Sequence, residues 1–486
     1  MMSPYKSLHD SYVSDRKGSG NCVTLLCALG SLVVLGILLA IAVVKRPADP
    51  NTPALIHDQD GGTFPEDQCS MSLVETIPQD LDYKANVSFG VPLENVWKDL
   101  IAMTTQHLDI VSFYWTLTSE DINLNSSIDR AGREILELLG QLPSRNVSVR
   151  LLTSVPSIRT NSTDLDVLEE QGAQVRRVNF GELTSGVLHS KFWIVDGKHV
   201  FIGSANMDWR ALTQVKELGV VVYNCSSLAE DFRKVFLSYW TVGLDNSSVP
   251  QPWPPEYDTD FNREHPLVVK TENISSKIYL AASPPAFCPP TRTPDLDAIL
   301  SIISNARFFL DVAVMDYFPT SGFIRPWRYW PLIDDAIRAA AFDRKVKIRL
   351  LVSCSRDSDR RMLPFLQSLA VLDRVKHGVS IQIRLFIIPA GNFSELPHVR
   401  INHNKFMVTE KEAYVGTSNW SGDYFMVTAG VGLVVSQHAP HQIWKTKAIQ
   451  QQLAAVFQRD WSSEFAVDLG DLGSCRDCAL CSPGSM

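Results

Sequence analysis

The chain has 486 residues, of which 45% are hydrophobic, and a formal net charge of −8. A chain of this length exceeds one ordinary domain and fits two halves of about 150–200 residues, each able to bury a core. The acidic balance excludes a protein that is coated with basic charge for binding nucleic acid, so any site for a polyanion must be a local pocket.

The first predicted element is a membrane-spanning helix. Residues Cys22–Val44 are almost wholly apolar, and about 20 such residues suffice to cross a bilayer. Ala40-Ile-Ala42 resembles a signal-peptide cleavage site, but the apolar run is long for a signal peptide, which favours an uncleaved anchor. In the preceding tail, Tyr5-Lys-Ser-Leu8 resembles a sorting signal that is read by an endolysosomal adaptor.

Glycosylation sequons indicate that the rest of the chain lies in a lumen. Eight of them follow the apolar run, which predicts a type II membrane protein with its N-terminus in the cytosol. They are at Asn86, Asn125, Asn146, Asn161, Asn224, Asn246, Asn273 and Asn392. A ninth, at Asn419, falls inside a polar motif described below, where a glycan would block a pocket, and we expect it to be unmodified.

After a stalk rich in Pro, Asp and Gly, which a protease could cut to release a soluble form, helices alternate with strands. This alternation predicts an α/β sandwich. The predicted elements of the first half are a helix Val96–Gln106, a strand Leu108–Tyr114, a helix Ile128–Leu139, a strand Val147–Thr153, a helix Asp164–Gln171, strands Gln174–Val178, Phe192–Val195, Val200–Ile202 and Leu218–Tyr223, and a helix Leu228–Trp240.

The second half repeats this order. Phe309–Met315 repeats Leu108–Tyr114, and Val346–Val352 repeats Val147–Thr153. Such a repeat indicates a duplication, in which two α/β halves related by a pseudo-twofold axis share one cleft. The predicted segments are a cytosolic tail 1–21, a transmembrane anchor 22–44, a stalk 45–68, a first half 69–245, a connection 246–294, a second half 295–474 and a C-terminal tail 475–486.

The first polar motif runs from His189 to Asn206. Residues two apart on a strand share a face, so His189 and Lys191 project together, as do Ser204 and Asn206. These groups suit a tetrahedral phosphate, because the ammonium and the amide can hold its oxygens while the imidazole attacks or protonates. Asp196, at the turn after the strand, is either a further catalytic residue or a turn cap.

The second copy has His403, Lys405, Glu410, Thr417 and Asn419 at almost the same spacing. Glu replaces Asp, Thr replaces Ser, and the loop before the glycine is one residue shorter. Two matching polar sets on apolar strands are hard to explain by core packing, since buried charge is costly unless it is paired or used. We therefore interpret the two copies as parts of one catalytic centre.

The pattern H-x-K-x4-D-x6-G-S-x-N, present twice, resembles the phospholipase D superfamily, and the first copy matches it without exception. Ser112–Thr118, Gly203–Gly219 and Gly416–Ser421 resemble more specifically its vertebrate membrane-anchored branch, phospholipase D members three and four. This resemblance covers nearly the whole lumenal region. It implies two tandem phospholipase D-like α/β sandwich halves.

The resemblance also implies a two-step phosphodiester exchange through a covalent phosphohistidine, without metal or cofactor. It implies His189 as the nucleophile and His403 as the general acid and base. Because an unperturbed imidazole titrates near pH ~6.5, a pair that must share one proton predicts an acidic optimum. The residues implied to hold the phosphate oxygens are Lys191, Lys405, Asn206, Asn419, Ser204 and Thr417.

As a substrate, the resemblance implies single-stranded DNA and RNA, digested 5′→3′ in the lysosome to limit nucleic-acid sensing by innate immune receptors. It also links the branch to exchange on phospholipids, with lysophospholipid and phosphatidylglycerol making bis(monoacylglycero)phosphate. A lipid enzyme and a catalytically silent adaptor therefore stay as alternatives. Aromatic residues at Tyr114, Trp115, Tyr317, Phe318 and within Phe323–Trp330 could stack bases, pack internally or form a homodimer contact.

The cysteines fit an oxidising compartment, but their pairing cannot be deduced from the residues alone. Three thiols in the tail, at Cys475, Cys478 and Cys481, make a poor zinc site without a nearby histidine. The family resemblance implies that Cys69 pairs with Cys225 and Cys354 with Cys475.

Overall fold

A computed structural model describes residues 67–83, 87, 89–122, 124, 127–155, 162–244, 246–271, 274–437, 448–474 and 476–481. The predicted anchor Cys22–Val44, the sorting motif, the stalk and Cys475 lie outside these residues. Across the described ranges, no helix combines the length and the apolar character needed to cross a bilayer.

The first half forms an eight-stranded sheet and a separate two-stranded pair. Its strands are β1 (Ser70–Thr76), β2 (Val91–Pro92), β3 (His107–Val111), β4 (Trp115–Thr116), β5 (Ser148–Ser154), β6 (Gln174–Val178), β7 (Phe192–Val195), β8 (His199–Gly203), β9 (Met207–Asp208) and β10 (Glu217–Tyr223). The sheet order is β2-β1-β10-β8-β7-β3-β5-β6, and β4 pairs with β9. Strands β3, β5 and β6 are parallel neighbours, whereas β7, β8 and β10 pair antiparallel.

The second half forms a nine-stranded sheet. Its strands are β11 (Leu267–Thr271), β12 (Ile274–Ser283), β13 (Phe309–Val314), β14 (Lys347–Ser353), β15 (Ser380–Phe386), β16 (Lys405–Thr409), β17 (Glu412–Gly416), β18 (Gly430–Gln437) and β19 (Ala466–Asp468). The order is β11-β12-β18-β17-β16-β13-β14-β15-β19. The run from β12 to β15 therefore has the same order as the run from β1 to β6 in the first sheet.

Corresponding parallel strands carry the same ion pair. Arg150 on β5 donates two hydrogen bonds to Asp109 on β3, at 2.7 and 2.6 Å. Arg349 on β14 donates two to Asp311 on β13, both at 2.7 Å. Such paired N–H donors fix the register of neighbouring strands as well as stabilising them. The mixed α/β class predicted from the sequence is confirmed.

Helices pack against both sheets. The helices of the first half are α1 (Leu93–Met103), α2 (Arg130–Gly140), α3 (Thr163–Glu170), α4 (Phe180–Thr184), α5 (Trp209–Thr213) and α6 (Ser226–Val242). Those of the second half are α7 (Asp295–Asn305), α8 (Leu332–Asp343), α9 (Leu363–Ala370), α10 (Gly422–Met426) and α11 (Ile449–Trp461).

One hydrophobic core is shared by the two halves. Phe192 and Val220 of the first sheet belong to the same buried cluster as Phe406 and Leu433 of the second, together with residues of α6 and α11. Burying side chains of this size stabilises the fold by about 1.5–3 kcal/mol each. The described residues accordingly all fall within one compact unit, which places the two polar motifs against each other.

Two predicted boundaries differ from the structure. The helix predicted over Val96–Gln106 ends at Met103, where the Thr104 hydroxyl donates to the carbonyl of Leu100 at 2.7 Å. The predicted connection 246–294 contains β11 and β12. Ile274 and Ile278 of β12 alternate with exposed polar residues, the pattern of a strand with one buried face.

The disulfides confirm one implied pair and correct the other. Cys69 is bonded to Cys225, with a Cα–Cα distance of 4.7 Å. Cys354 is bonded to Cys478, not to Cys475 as the resemblance implied. The reason is the anchoring of the tail around Cys478, where the Asp477 carboxylate accepts hydrogen bonds from the Arg356 guanidinium and from a backbone N–H.

Four predicted sequons lie among the described residues. Asn146, Asn224, Asn246 and Asn392 are all exposed, as a glycan requires. Asn419, by contrast, is 1% exposed, which agrees with the expectation that it stays unmodified.

Candidate active site

Reciprocal backbone hydrogen bonds hold the two histidines at the junction of the halves. The N–H of His189 donates to the carbonyl of Ala429 at 2.9 Å, and the N–H of His403 donates to the carbonyl of Lys216 at 2.8 Å. Each contact belongs to a parallel bridge between the halves. Each half therefore positions the histidine of the other, and a single half could not form the site.

The two lysines are oriented in the same way. Lys191 donates from Nζ to the carbonyl of His189 at 2.6 Å, and Lys405 donates to the carbonyl of His403 at 2.7 Å. Burial lowers the pKa of Lys191 well below its usual value, and the neighbouring Lys405 ammonium lowers it further. Burial also lowers the pKa of Lys405. Two buried ammonium groups whose charges disfavour each other favour an anion between them.

His189 is enclosed by aromatic rings. Its ring centroid lies 5.2 Å from that of Phe113 and 5.0 Å from that of Tyr424. Burial, followed by the charges of Lys191 and Lys405, lowers the pKa of His189 well below the usual value. Its Nδ1 has no hydrogen-bond partner among the described residues. Its surroundings therefore favour the neutral form of this imidazole.

His403 differs because it has a carboxylate partner. Its Nδ1 lies 3.1 and 3.0 Å from the two carboxylate oxygens of Glu217, which belongs to the other half. Burial lowers the pKa of His403, while Glu217 opposes the decrease. The buried Glu217 also accepts a hydrogen bond from the Ser204 hydroxyl. His403 is thus the more easily protonated of the two histidines.

The repeat places Gly430 where Glu217 stands in the first half. A Cβ at Gly430 would lie 2.8 Å from the Ser283 hydroxyl oxygen and closer still to that of Ser418. No carboxylate fits there without rearrangement, so His189 lacks the partner that His403 has. The site is therefore symmetric in its lysines and asymmetric in its histidines.

The motif asparagines each bury an amide group. Asn206 and Asn419 are buried, and the side-chain Oδ1 of each has no hydrogen-bond partner among the described residues. Asn419 donates from Nδ2 to Asp316 at 3.0 Å. Burial raises the pKa of Asp316, while the Lys405 ammonium opposes the rise. The structure thus adds two acids, Glu217 and Asp316, that sequence reasoning assigned no role.

The hydroxyls of Ser204 and Thr417, which are predicted to contact the substrate, also form hydrogen bonds within the protein. Both side chains are fully buried, at 0% exposure. Ser204 exchanges hydrogen bonds with the backbone of Leu218, and Thr417 does the same with Val431. These hydroxyls join neighbouring strands and so position the motifs, and their contact with a phosphate stays a prediction.

Asp196 and Glu410 are not part of the site, which corrects their assignment as catalytic residues. Asp196 accepts hydrogen bonds from the backbone N–H groups of Thr105, Gln106 and His107, at 2.8–2.9 Å. Glu410 accepts from the N–H groups after α7, one of them at 2.9 Å. Each lies at the strand end opposite its motif lysine, about 16 Å away for five residues of extended chain. Both carboxylates cap turns.

The aromatic residues expected at the cleft are mostly internal. Trp115, Tyr317 and Phe318 belong to the buried clusters of their own halves, and the Tyr317 hydroxyl donates to Asp334 at 2.6 Å. Trp327 and Tyr329 are exposed. The interpretation as base-stacking residues is therefore wrong for the three internal rings.

Known proteins resemble this chain over most of its length. A family model described as "PLD3/4, PLD-like domain" matches residues 84–391. The chain is 48% identical over 412 residues to human "5'-3' exonuclease PLD4", covering 85% of this chain and 81% of the relative. It is 45% identical over 413 residues to "5'-3' exonuclease PLD3" of Xenopus tropicalis, covering 85% and 83% respectively.

Among solved structures, a phosphatidylserine synthase from Haemophilus influenzae Rd KW20 aligns with a TM-score of 0.51 at 12% sequence identity. The alignment covers 79% of this chain and 88% of that protein. At this identity the likeness concerns the fold alone.

Proposed function

The chain belongs to the PLD3/4 family of PLD-like proteins, and from this premise we propose that it is a 5′→3′ exonuclease. Its substrates would be single-stranded DNA and RNA, in keeping with the names of its curated relatives. The observation that carries the proposal is the meeting of two His/Lys/Asn sets at the junction of the halves. A pair of imidazoles beside two ammonium groups suits in-line displacement at phosphorus.

In the proposed first step, His189 attacks phosphorus while His403 donates its proton to the leaving oxygen. The P–O bond breaks as the P–N bond of a phosphohistidine forms. In the second step, His403 takes a proton from water, whose oxygen attacks phosphorus and releases His189. The lowered pKa of His189 and the Glu217 carboxylate in contact with His403 support this division of roles.

The remaining polar side chains would stabilise the transition state. Lys191 and Lys405 neutralise the equatorial phosphate oxygens, and the amides of Asn206 and Asn419 orient them. Burial lowers the pKa values of the two lysines. The negative charge of a bound phosphate opposes this and stabilises both ammonium groups. The ammonium groups thus supply the positive charge that the reaction needs.

We also propose that the two halves arose by duplication and are related by a pseudo-twofold axis between the histidines. The shared strand order and the reciprocal contacts of His189 and His403 support this. A type II lumenal topology, endolysosomal delivery, release of a soluble form and a role in limiting innate nucleic-acid sensing complete the proposal. Exposed sequons and disulfides agree with a lumenal site.

A digestion assay tests the proposed activity. The full chain in detergent would be incubated at pH 5 with 5′-hydroxyl single-stranded DNA labelled at its 3′ end, beside the His189→Ala and His403→Ala variants. We expect stepwise shortening from the 5′ end, lost in both variants. Exchange between phosphatidylglycerol and lysophospholipid, without DNA digestion, would instead indicate the lipid enzyme. Turnover of neither substrate would indicate an adaptor.

A further inference from the structure

We propose that residues 322–330 and Arg360–Arg361 form a binding surface for single-stranded nucleic acid outside the reaction centre. We call these residues the arginine–tryptophan surface. The inference rests on the proposed function, because it names where the strand continues beyond the phosphodiester being cleaved. It assigns the surface to substrate affinity and not to the chemical step.

The surface is attached directly to the catalytic motif. Asp423, four residues after Asn419, accepts hydrogen bonds from the backbone N–H groups of Gly322 and Phe323, the latter at 3.0 Å. The ring of Phe323 packs edge-on against Tyr424 at 5.8 Å, and Tyr424 packs against His189 at 5.0 Å. One aromatic ring therefore separates the catalytic imidazole from the beginning of this surface.

A second connection runs along the other side. The charge of Asp359 acts on Asp316, which bonds the catalytic Asn419, and the charge of Arg325 acts on Asp359. Arg361 is paired with Asp359 and lies over the ring of Trp327, 5.2 Å from its centroid. These contacts place the arginine–tryptophan surface next to the catalytic Asn419.

The loop is rigidly held, yet it presents aromatic rings to solvent. Trp330 stacks on Phe425 at 5.6 Å with an interplanar angle of 6°, and Trp327 donates from Nε1 to the Thr320 hydroxyl at 3.0 Å. Trp327 is nevertheless 46% exposed and Tyr329 71% exposed. Large rings fixed at the surface cost little entropy on binding and offer faces on which bases can stack.

The charge of the surface matches a phosphodiester backbone. Arg325, Arg328 and Arg360 are exposed, and within the described residues none of them forms an ion pair. Arg325 donates only to carbonyls of its own loop, at 3.3 and 3.4 Å. In a protein with a net charge of −8, three unpaired guanidinium groups beside exposed rings favour a single-stranded polyanion. A purely apolar protein contact would not need them.

The decisive comparison is between a long and a short substrate. We would measure kcat/KM on an oligonucleotide of about 16 nucleotides, the upper end of single-strand site sizes, and on a dinucleotide, which fills only the reaction centre. For Trp327→Ala/Tyr329→Ala and for Arg325→Gln/Arg328→Gln, we expect a loss of about tenfold or more on the long substrate, through KM. The dinucleotide should be cleaved as by the wild type.

Matched controls separate stacking from general surface effects. Phe308 is 71% exposed and lies beside Glu410, at the end of the sheet away from the site. Phe308→Ala should therefore leave kcat/KM unchanged on both substrates. Arg130, whose side chain is 81% exposed, serves in the same way as Arg130→Gln. Trp327→Phe/Tyr329→Phe should restore most of the affinity for the long substrate, since a flat ring remains.

Three results would overturn the proposal. The first is an equal loss of kcat/KM on both substrates, and the second is no loss on either. The third is a change in the oligomeric state of the variants, measured by sedimentation, together with a loss of kcat/KM that does not depend on substrate length. The last would identify the surface as a contact with a second copy of the chain. Binding of a 3′-labelled oligonucleotide, measured by fluorescence anisotropy in a His189→Ala background, tests the surface even if the wild type proves not to be a nuclease.

Discussion

Glu217 in the first half accepts a hydrogen bond from Nδ1 of His403 in the second, with both carboxylate oxygens within 3.1 Å of that nitrogen. The other histidine has no such partner among the described residues. This difference distinguishes two otherwise equivalent motifs and assigns the proton to one of them. Because Glu217 raises the pKa of His403, the pH dependence of catalysis should report on this contact.

Replacing Glu217 by Gln should move the alkaline limb of the pH–rate profile to lower pH. The amide keeps a hydrogen bond but removes the charge that raises the pKa of His403, so the acid form is lost sooner as pH rises. Hydrogen bonds to charged groups are worth about 1.5–3 kcal/mol, so kcat should fall roughly ten- to a hundredfold. An alkaline limb that stays in place or moves upward would show that Glu217 does not act through His403.

The wild-type enzyme should have an acidic optimum. Burial lowers the pKa of both histidines, that of His189 by more. His189 therefore resists protonation more than His403 as the pH falls, and His403 loses its proton below ~6.5, the usual imidazole value. Initial rates between pH 4 and 8 check this directly. Full activity at pH 8 together with little at pH 5 would reverse the assignment of charge.

Asp196→Ala should lower stability and leave catalysis intact. Burial raises the pKa of Asp196, but the N–H groups that it caps lower it more, to below the usual value. With a lowered folded-state pKa, its contribution is present above pH ~3.9 and is lost only as pH falls further. We expect a loss of about 0.5–1.5 kcal/mol in the free energy of unfolding, because the freed N–H groups lie at an exposed turn. A drop in kcat/KM at a temperature where the variant is fully folded would restore Asp196 to the active site.

Lys216→Met should be strongly destabilising. Lys216 is 0% exposed, and its ammonium lies 2.8 Å from the carboxylate of Asp460 on α11. Removing one member of a buried ion pair costs about 3–5 kcal/mol, because the other charge is left uncompensated. The double variant Lys216→Met/Asp460→Leu should recover part of that loss in a denaturant titration. Strictly additive losses would mean that the two groups are not coupled.

The parts of the site that could be predicted are those that repeat along the chain. The spacing of His189, Lys191 and Asn206, found again at the second motif, was enough to indicate one shared centre. The role of Glu217 could not be predicted, because its partner His403 belongs to the other half and no local sequence pattern indicates a contact across an interface. The sequence does contain one signal for Glu217, an acidic residue at the start of the apolar strand Leu218–Tyr223. It lies within Gly203–Gly219, one of the segments that carry the family resemblance.

The misplaced residues have a common cause. Alternation along a strand shows which face a residue occupies but not at which end the chemistry lies, so the sequence pattern groups Asp196 with a lysine at the opposite end of β7. Likewise, the anchoring of the C-terminal tail selects Cys478 over Cys475, and that anchoring depends on Asp477 and Arg356, which are far apart in sequence.

Trapping the covalent intermediate tests the central claim most directly. With a p-nitrophenyl ester of thymidine phosphate, the leaving group departs without an acid, so His403→Ala should form the phosphohistidine and then fail to hydrolyse it. After an acid-free denaturing quench and proteolysis, mass spectrometry should find the nucleotide phosphate on His189, and none should form in His189→Ala. Adduct on His403 in the His189→Ala variant, or no adduct in either variant, would contradict the account.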